Sequence, residues 1–239
     1  MIRIFKNPDT LLPALADFIV GRSKASIERE GRFNLVLSGG SSPKRLYELL
    51  VSSYRNKIEW QKVFFFFGDE RYVPLDHKDS NFLMAKNSLF DPLKIPGDHV
   101  FAIDTSLPPA ESAAAYEKQI RNHLTNVCSF DLILLGLGDN SHTASLFPHT
   151  TVLHEKNALV KEIFVKEVNM YRITFTAPLI NLAHAIAFLV YGESKAEAVH
   201  HILKDSLNVD AYPAQLIKPE NGKLHWFLDE TAANRIKGN

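Results

Sequence analysis

Phe130-Asp131-Leu132-Ile133-Leu134-Leu135-Gly136-Leu137-Gly138-Asp139-Asn140-Ser141-His142 is the stretch on which the reading of this chain turns. The first six residues form a short apolar run that predicts a buried strand. Glycines, small polar residues and a lone histidine follow. An α/β protein presents its chemistry in this way, at the carboxyl end of a strand. An imidazole at that edge suits a general base near neutral pH. The plainer alternative, that His142 caps a helix or satisfies a loop, is equally compatible with the segment taken alone.

Outward from this stretch, strand and helix patterns alternate. Toward the N-terminus, helices are predicted over residues 10–30, 44–51, 80–90 and 108–124, and strands over 33–37, 63–67 and 100–103. Val63-Phe64-Phe65-Phe66-Phe67 is too short for a helix and fits a strand covered on both faces. Toward the C-terminus, extended structure is expected over 158–160 and 163–165. Strands are expected over 172–176, 185–191 and 224–228. Helices are expected over 178–183 and 194–203, with a final helix capped by Asp229. The alternation implies an α/β fold: a largely parallel, Rossmann-like sheet with helices on both faces. No internal repeat or linker divides residues 1–239, so one domain is expected.

Composition narrows the function classes. Lys+Arg and Asp+Glu are both 27 among 239 residues. That balance advertises neither a nucleic acid nor an anionic membrane as partner. One cysteine, Cys128, excludes an intrachain disulfide and a cysteine-based zinc site. Its place before a strand predicts a buried, inert thiol. The N-terminal residues lack the apolar core of a signal peptide, and no run reaches the roughly 18 apolar residues of a membrane span. A cytoplasmic protein is expected. The oligomeric state stays open, with a monomer as the expectation.

Three polar clusters fall at strand carboxyl ends. Ser38-Gly39-Gly40-Ser41-Ser42-Pro43 is a strand–loop–helix junction whose glycines let backbone N–H groups approach an anion. It lacks the Walker and dinucleotide spacings, and a tight turn is its plainer reading. Gly68-Asp69-Glu70-Arg71 sets three charges after five apolar residues. Arg71 can fork onto a phosphate, or the three can form a structural ion pair. Arg172 and Lys195 are further anion-binding candidates, or solvated surface charges. His77, His99, His123, His149, His154, His184, His200, His201 and His225 show no metal-ligand spacing and read as surface or packing residues. Adjacent on a helix, His200 and His201 are expected to point to different faces.

These motifs together resemble the 6-phosphogluconolactonase family. The resemblance rests on residues 37–43, Gly68-Asp69-Glu70-Arg71-Tyr72-Val73 with Ser80-Asn81, residues 136–148 and Arg172-Ile173-Thr174. His142-Thr143-Ala144-Ser145-Leu146-Phe147-Pro148 is its most specific element. It implies hydrolysis of 6-phospho-D-glucono-1,5-lactone, a step of the oxidative pentose phosphate pathway, with no cofactor and no metal. It further implies that His142 is the general base, oriented by Asn140. Gly39, Gly40, Ser41, Ser42, Asp69, Arg71, Arg172 and Lys195 would bind the substrate. Loop N–H groups around residues 138–141 or at Gly39-Gly40 would serve the oxyanion. The chain departs from the family's Gly-x-Gly-x-Asp-Gly-His: Asn140 stands at the Asp, Ser141 at the Gly, and Asp139 fills the variable slot. Two rivals remain at this level: a sugar-phosphate isomerase or deaminase of the same fold, and a sugar-phosphate-binding protein with a degenerate site.

Overall fold

The computed structural model describes residues 1–124 and 129–236. Cys128, and with it the expected inert thiol, lies outside the described residues. The strands are β1 (Ile2–Phe5), β2 (Phe33–Leu37), β3 (Val63–Phe67), β4 (Asp69–Arg71), β5 (Val100–Phe101), β6 (Leu132–Leu135), β7 (Val160–Val165), β8 (Met170–Phe175), β9 (Ala185–Val190) and β10 (Lys223–Asp229). The α-helices are α1 (Pro8–Glu30), α2 (Ser41–Ser53), α3 (Asn81–Ala85), α4 (Asp91–Leu93), α5 (Pro109–Leu124), α6 (Ala177–Asn181) and α7 (Ala196–Leu203).

Seven strands form one parallel sheet in the order β1-β10-β9-β6-β2-β3-β5. From β2 the chain winds outward through β3 to β5. It then returns to the other side of β2 as β6 and winds outward through β9 to β10. The winding therefore reverses between β2 and β6, and ligands of such sheets bind outside the carboxyl ends at that point. Leu37 and Leu135 end these two strands, so the loops that begin at Ser38 and Gly136 open beside each other.

Burial on both faces explains why β3 is all apolar. Successive side chains of a strand point to opposite faces. Phe66 stacks on Phe101 and meets the ring of His123 from α5. Phe65 and Phe67 face the other way, onto Phe90. On the side away from α5, α1 packs against α2. The start of α1 is set by a capping box between Asn7 and Thr10, and its end by Gly31 at φ 73°.

A second sheet, β4-β8-β7, is antiparallel and three-stranded. Here the structure corrects the sequence reading. Asp69-Glu70-Arg71 is a strand paired to β8 rather than a charged loop, because hydrogen bonds compensate its carboxylates. The 172–176 strand exists but belongs to this small sheet. β1 was not anticipated: it is an edge strand of four residues in which Ile2 and Ile4 stay exposed. The final helix is absent among the described residues. Asp229 instead caps a turn, accepting hydrogen bonds from the N–H of Ala232 (2.7 Å) and Oγ1 of Thr231 (2.8 Å). No helix of the described residues is long and apolar enough to cross a membrane.

Candidate active site

A cleft of about 410 Å³ opens at the reversal between β2 and β6. Gly39, Gly40, Ser41, Ser42, Asp69, Arg71, His142, Arg172 and Lys195 all line it. Each wall has its own cause.

The β2 wall begins with a helix that starts earlier than the sequence suggested. Ser41 and Ser42 lie in the first turn of α2, with Pro43 behind them, and Gly40 caps the helix at φ 105°. Only glycine holds that angle without strain. Pro43 is tolerated because first-turn N–H groups have no partner within the helix. No side chain caps α2 and its first turn carries no acid. Its free N–H groups and positive dipole end therefore face the cleft. Gly39 leaves room for Asn81: a Cβ there would collide with the Asn81 amide.

The second wall is the β4–β8 pair. Arg71 and Arg172 are direct cross-strand partners. Like charges opposite one another destabilise a sheet. The Nε of each guanidinium is buried without a partner, and Arg71 is otherwise spent on the carbonyl of Asp79 (Nη1, 2.6 Å). Burial, opposed by the nearby Asp69 carboxylate, pushes the Arg172 pKa down. Two guanidiniums side by side, each with a buried Nε that nothing satisfies, are a fork for an anion. The structural ion pair among residues 69–71 does not occur. Glu70 turns inward to accept the N–H groups of Arg71 (2.7 Å), Asn81 (2.7 Å) and Phe82 (2.8 Å) and the Ser80 hydroxyl (3.0 Å). Asp69 accepts the Ser145 hydroxyl (2.6 Å) and the Asn81 amide (3.3 Å).

The third wall is the loop after β6. His142 Nδ1 lies 2.5 Å from Asn140 Oδ1, and the His142 backbone N–H donates to the same oxygen (3.4 Å). An amide oxygen only accepts, so Nδ1 carries the proton and the Nε2 lone pair is left for chemistry. The ring lies on Phe147, centroids 4.1 Å apart, and on the backbone of Gly138, where a Cβ would overlap it. Burial pushes the imidazole pKa down to about 4. Asp69 opposes that shift and Lys195 and Arg172 add to it. Asp139 does not take the hydrogen bond to the imidazole, which goes to Asn140. Asp139 binds the Lys195 ammonium at 2.6 Å. Ser141 adopts φ 66°, a conformation that favours glycine.

Other expectations need correction. The N–H of Gly138 is committed to the His142 carbonyl (2.8 Å) and that of Ser141 to the Gly138 carbonyl (3.0 Å), so neither is free for an oxyanion. His200 and His201 diverge only in part, His200 toward the Arg235 carbonyl (3.0 Å) and His201 onto the Tyr212 ring. Both reach Asp205, at 3.3 Å and 2.5 Å, because that residue lies in the turn ending α7. Asn81, Ser145 and Phe147 shape the site although the sequence does not name them as site residues, and Glu70 reads there only as a member of an ion pair. All four sit inside quoted motifs, but nothing local marks Glu70 as a cap eleven residues ahead of its partner Asn81.

A switch-point cleft that joins a neutral imidazole to a pair of adjacent arginines defines an α/β enzyme pocket for a small anionic substrate. The chain belongs to the family described as glucosamine-6-phosphate isomerases/6-phosphogluconolactonase, whose pattern matches residues 6–226. A 6-phosphogluconolactonase of Nostoc sp. is 39% identical over 98% of this chain and 98% of its own length. One from Synechocystis sp. is 37% identical over 99% and 98%. The solved 6-phosphogluconolactonase of Trypanosoma brucei superposes with a TM-score of 0.87, at 31% identity, over 99% of this chain and 98% of that one.

Proposed function

We propose that this chain hydrolyses 6-phospho-D-glucono-1,5-lactone to 6-phospho-D-gluconate. The observation that carries the reading is the open Nε2 of His142 in one cleft with the Arg71–Arg172 pair. The arginines hold the 6-phosphate, and the Lys195 ammonium adds positive charge at the rim. Ser41, Ser42 and Asp69 contact the sugar hydroxyls. Held in this way, the lactone carbonyl meets a water on Nε2. His142 takes a proton from that water as its oxygen attacks C1. The C1 oxyanion is met by N–H groups of Gly39, Gly40 and the first turn of α2, where the positive end of the helix dipole lies. Collapse breaks the bond from C1 to the ring oxygen, and the imidazolium returns its proton to that oxygen. Asn140 keeps the imidazole in the reactive tautomer throughout.

A deaminase or isomerase needs an acidic proton shuttle at this histidine. The amide of Asn140 stands there, and the nearest carboxylate in sequence, Asp139, is held by Lys195. The test is hydrolysis of freshly generated lactone, corrected for spontaneous opening. Wild type should exceed background, and His142→Ala should lose about 10²–10⁴-fold while still binding 6-phosphogluconate. A His142→Ala enzyme at the wild-type rate would remove His142 from the mechanism.

A further inference from the structure

At the amino ends of the sheet, opposite the cleft, three side chains from distant parts of the sequence come together. Glu30 ends α1, Asp131 directly precedes β6, and His184 directly precedes β9. One oxygen of each carboxylate and one ring nitrogen of His184 lie within 4.8 Å of one another. We propose that Glu30, Asp131 and His184 bind a divalent transition-metal ion of the zinc type.

Asp131 is the anchor. It is buried, and its Oδ2 accepts the N–H (2.8 Å) and the amide (3.2 Å) of Asn34. Its Oδ1 accepts Arg29 (3.0 Å). A carboxylate offers about four lone-pair sites, so one on Oδ1 is left. Glu30 and His184 are exposed and can close on it once Arg29 releases Glu30. Zinc ligands sit about 2.0–2.2 Å from the ion, and hence about 3.4 Å apart. Reaching that spacing from within 4.8 Å asks the exposed Glu30 and His184 side chains to turn toward Asp131. One imidazole nitrogen with two carboxylate oxygens suits zinc. Magnesium and calcium ask for more oxygens. Three protein ligands leave the fourth position to water, and a cleft of about 440 Å³ lined by Glu30 and His184 gives solvent access. The donors come from positions 30, 131 and 184, so no local spacing motif announces them.

Arg29 competes for the site. Its Nε lies 2.8 Å from Glu30 Oε1 and its Nη2 3.0 Å from Asp131 Oδ1. The guanidinium is half exposed and can turn to water when the ion enters. The bound ion would tie the end of α1 to the starts of β6 and β9. It would stay clear of His142, since the five residues from Asp131 to Gly136 span about 17 Å of strand. Its effect is therefore on stability, through linkage.

The experiment titrates zinc into tag-free, chelator-stripped protein against a chromophoric chelator, with thermal unfolding measured alongside. Wild type should bind one zinc per chain and gain Tm as it does. His184→Ala should weaken binding about tenfold or more and lose the Tm gain. Arg29→Gln should tighten binding, because it removes the competing cation. Lactone hydrolysis should be unchanged in both variants. Zinc binding in His184→Ala equal to wild type would overturn the proposal. So would a zinc site lost with His142→Ala but kept in His184→Ala, or zinc occupancy without a gain in Tm.

Discussion

At the scale of single residues, the site is governed by which proton His142 carries. An unperturbed imidazole would titrate near 6.5, but burial holds this one down to about 4. The base is the neutral form, so activity is lost only when the pH falls through the folded-state value. We expect kcat/KM, which reports the free enzyme, to stay level from pH 8 to about 5. An acid limb near 6.5 would contradict the buried, unprotonated ring. Asn140→Asp tests the same geometry from the other side. In serine proteases the reverse change costs about 10⁴-fold, largely through the wrong tautomer. Here the amide oxygen already faces Nδ1, so the tautomer is right and only the charge is missing. Asn140→Asp should match or exceed wild type by about tenfold at most, and its acid limb should move to higher pH because a carboxylate favours the imidazolium. A markedly slower variant would show that the asparagine belongs to a tuned site. His142, Arg71 and Arg172 could be picked out from sequence because each follows or opens an apolar run. The Asp139–Lys195 ion pair could not, since the direction of Asp139 is set only once the turn through Ser141 is known.

At the scale of elements, the anion fork is a product of strand pairing. Arg71 lies on β4 and Arg172 on β8, a hundred residues apart in sequence, and the antiparallel register places them opposite. A repulsive pair persists in a fold when something between the charges offsets it. We therefore expect Arg71→Ala and Arg172→Ala each to cost about 1.5–3 kcal/mol in binding 6-phosphogluconate and almost nothing in binding gluconate, measured as product-type inhibition. Equal losses for both ligands would mean the arginines hold something other than the phosphate. The elements that sequence discloses are those buried on both faces: β3, β6 and β9 read as unbroken apolar runs because the sheet covers them twice. The two that it hides have the opposite character. β1 alternates with a charge at an exposed edge. β4 is a strand of acids and an arginine whose burial depends on Ser145, Asn81 and the N-terminus of α3, none of which is nearby in sequence. The same dependence makes Glu70 structural: its carboxylate receives three N–H groups and a hydroxyl, and so holds Arg71 and the 80–82 turn in place.

At the scale of the whole molecule, histidines set the response to acid. His123, His142 and His225 are each held down to about 4, mainly by burial. His123 sits among Phe64, Phe66 and Phe101, and His225 lies on β10 against Phe18. In the unfolded chain all three titrate near 6.5. Between those values the unfolded chain binds more protons than the folded one, so stability rises with pH. The contribution is complete above about 6.5 and is lost as pH falls toward 4. Glu70 acts in the opposite sense, because burial raises its pKa and protonation relieves it. One carboxyl does not offset three imidazoles. Urea unfolding should therefore show a loss on the order of a few kcal/mol between pH 7 and pH 4.5, and His123→Gln should flatten the slope. Equal unfolding midpoints at the two pH values would refute it. Activity of the folded enzyme falls only near the His142 value of about 4, whereas stability is already being lost from about 6.5 downward, so the two limbs separate in pH and in time. Initial rates taken on dilution into pH 5 should be those of the intact base. Rates after long incubation there should fall with the unfolded fraction.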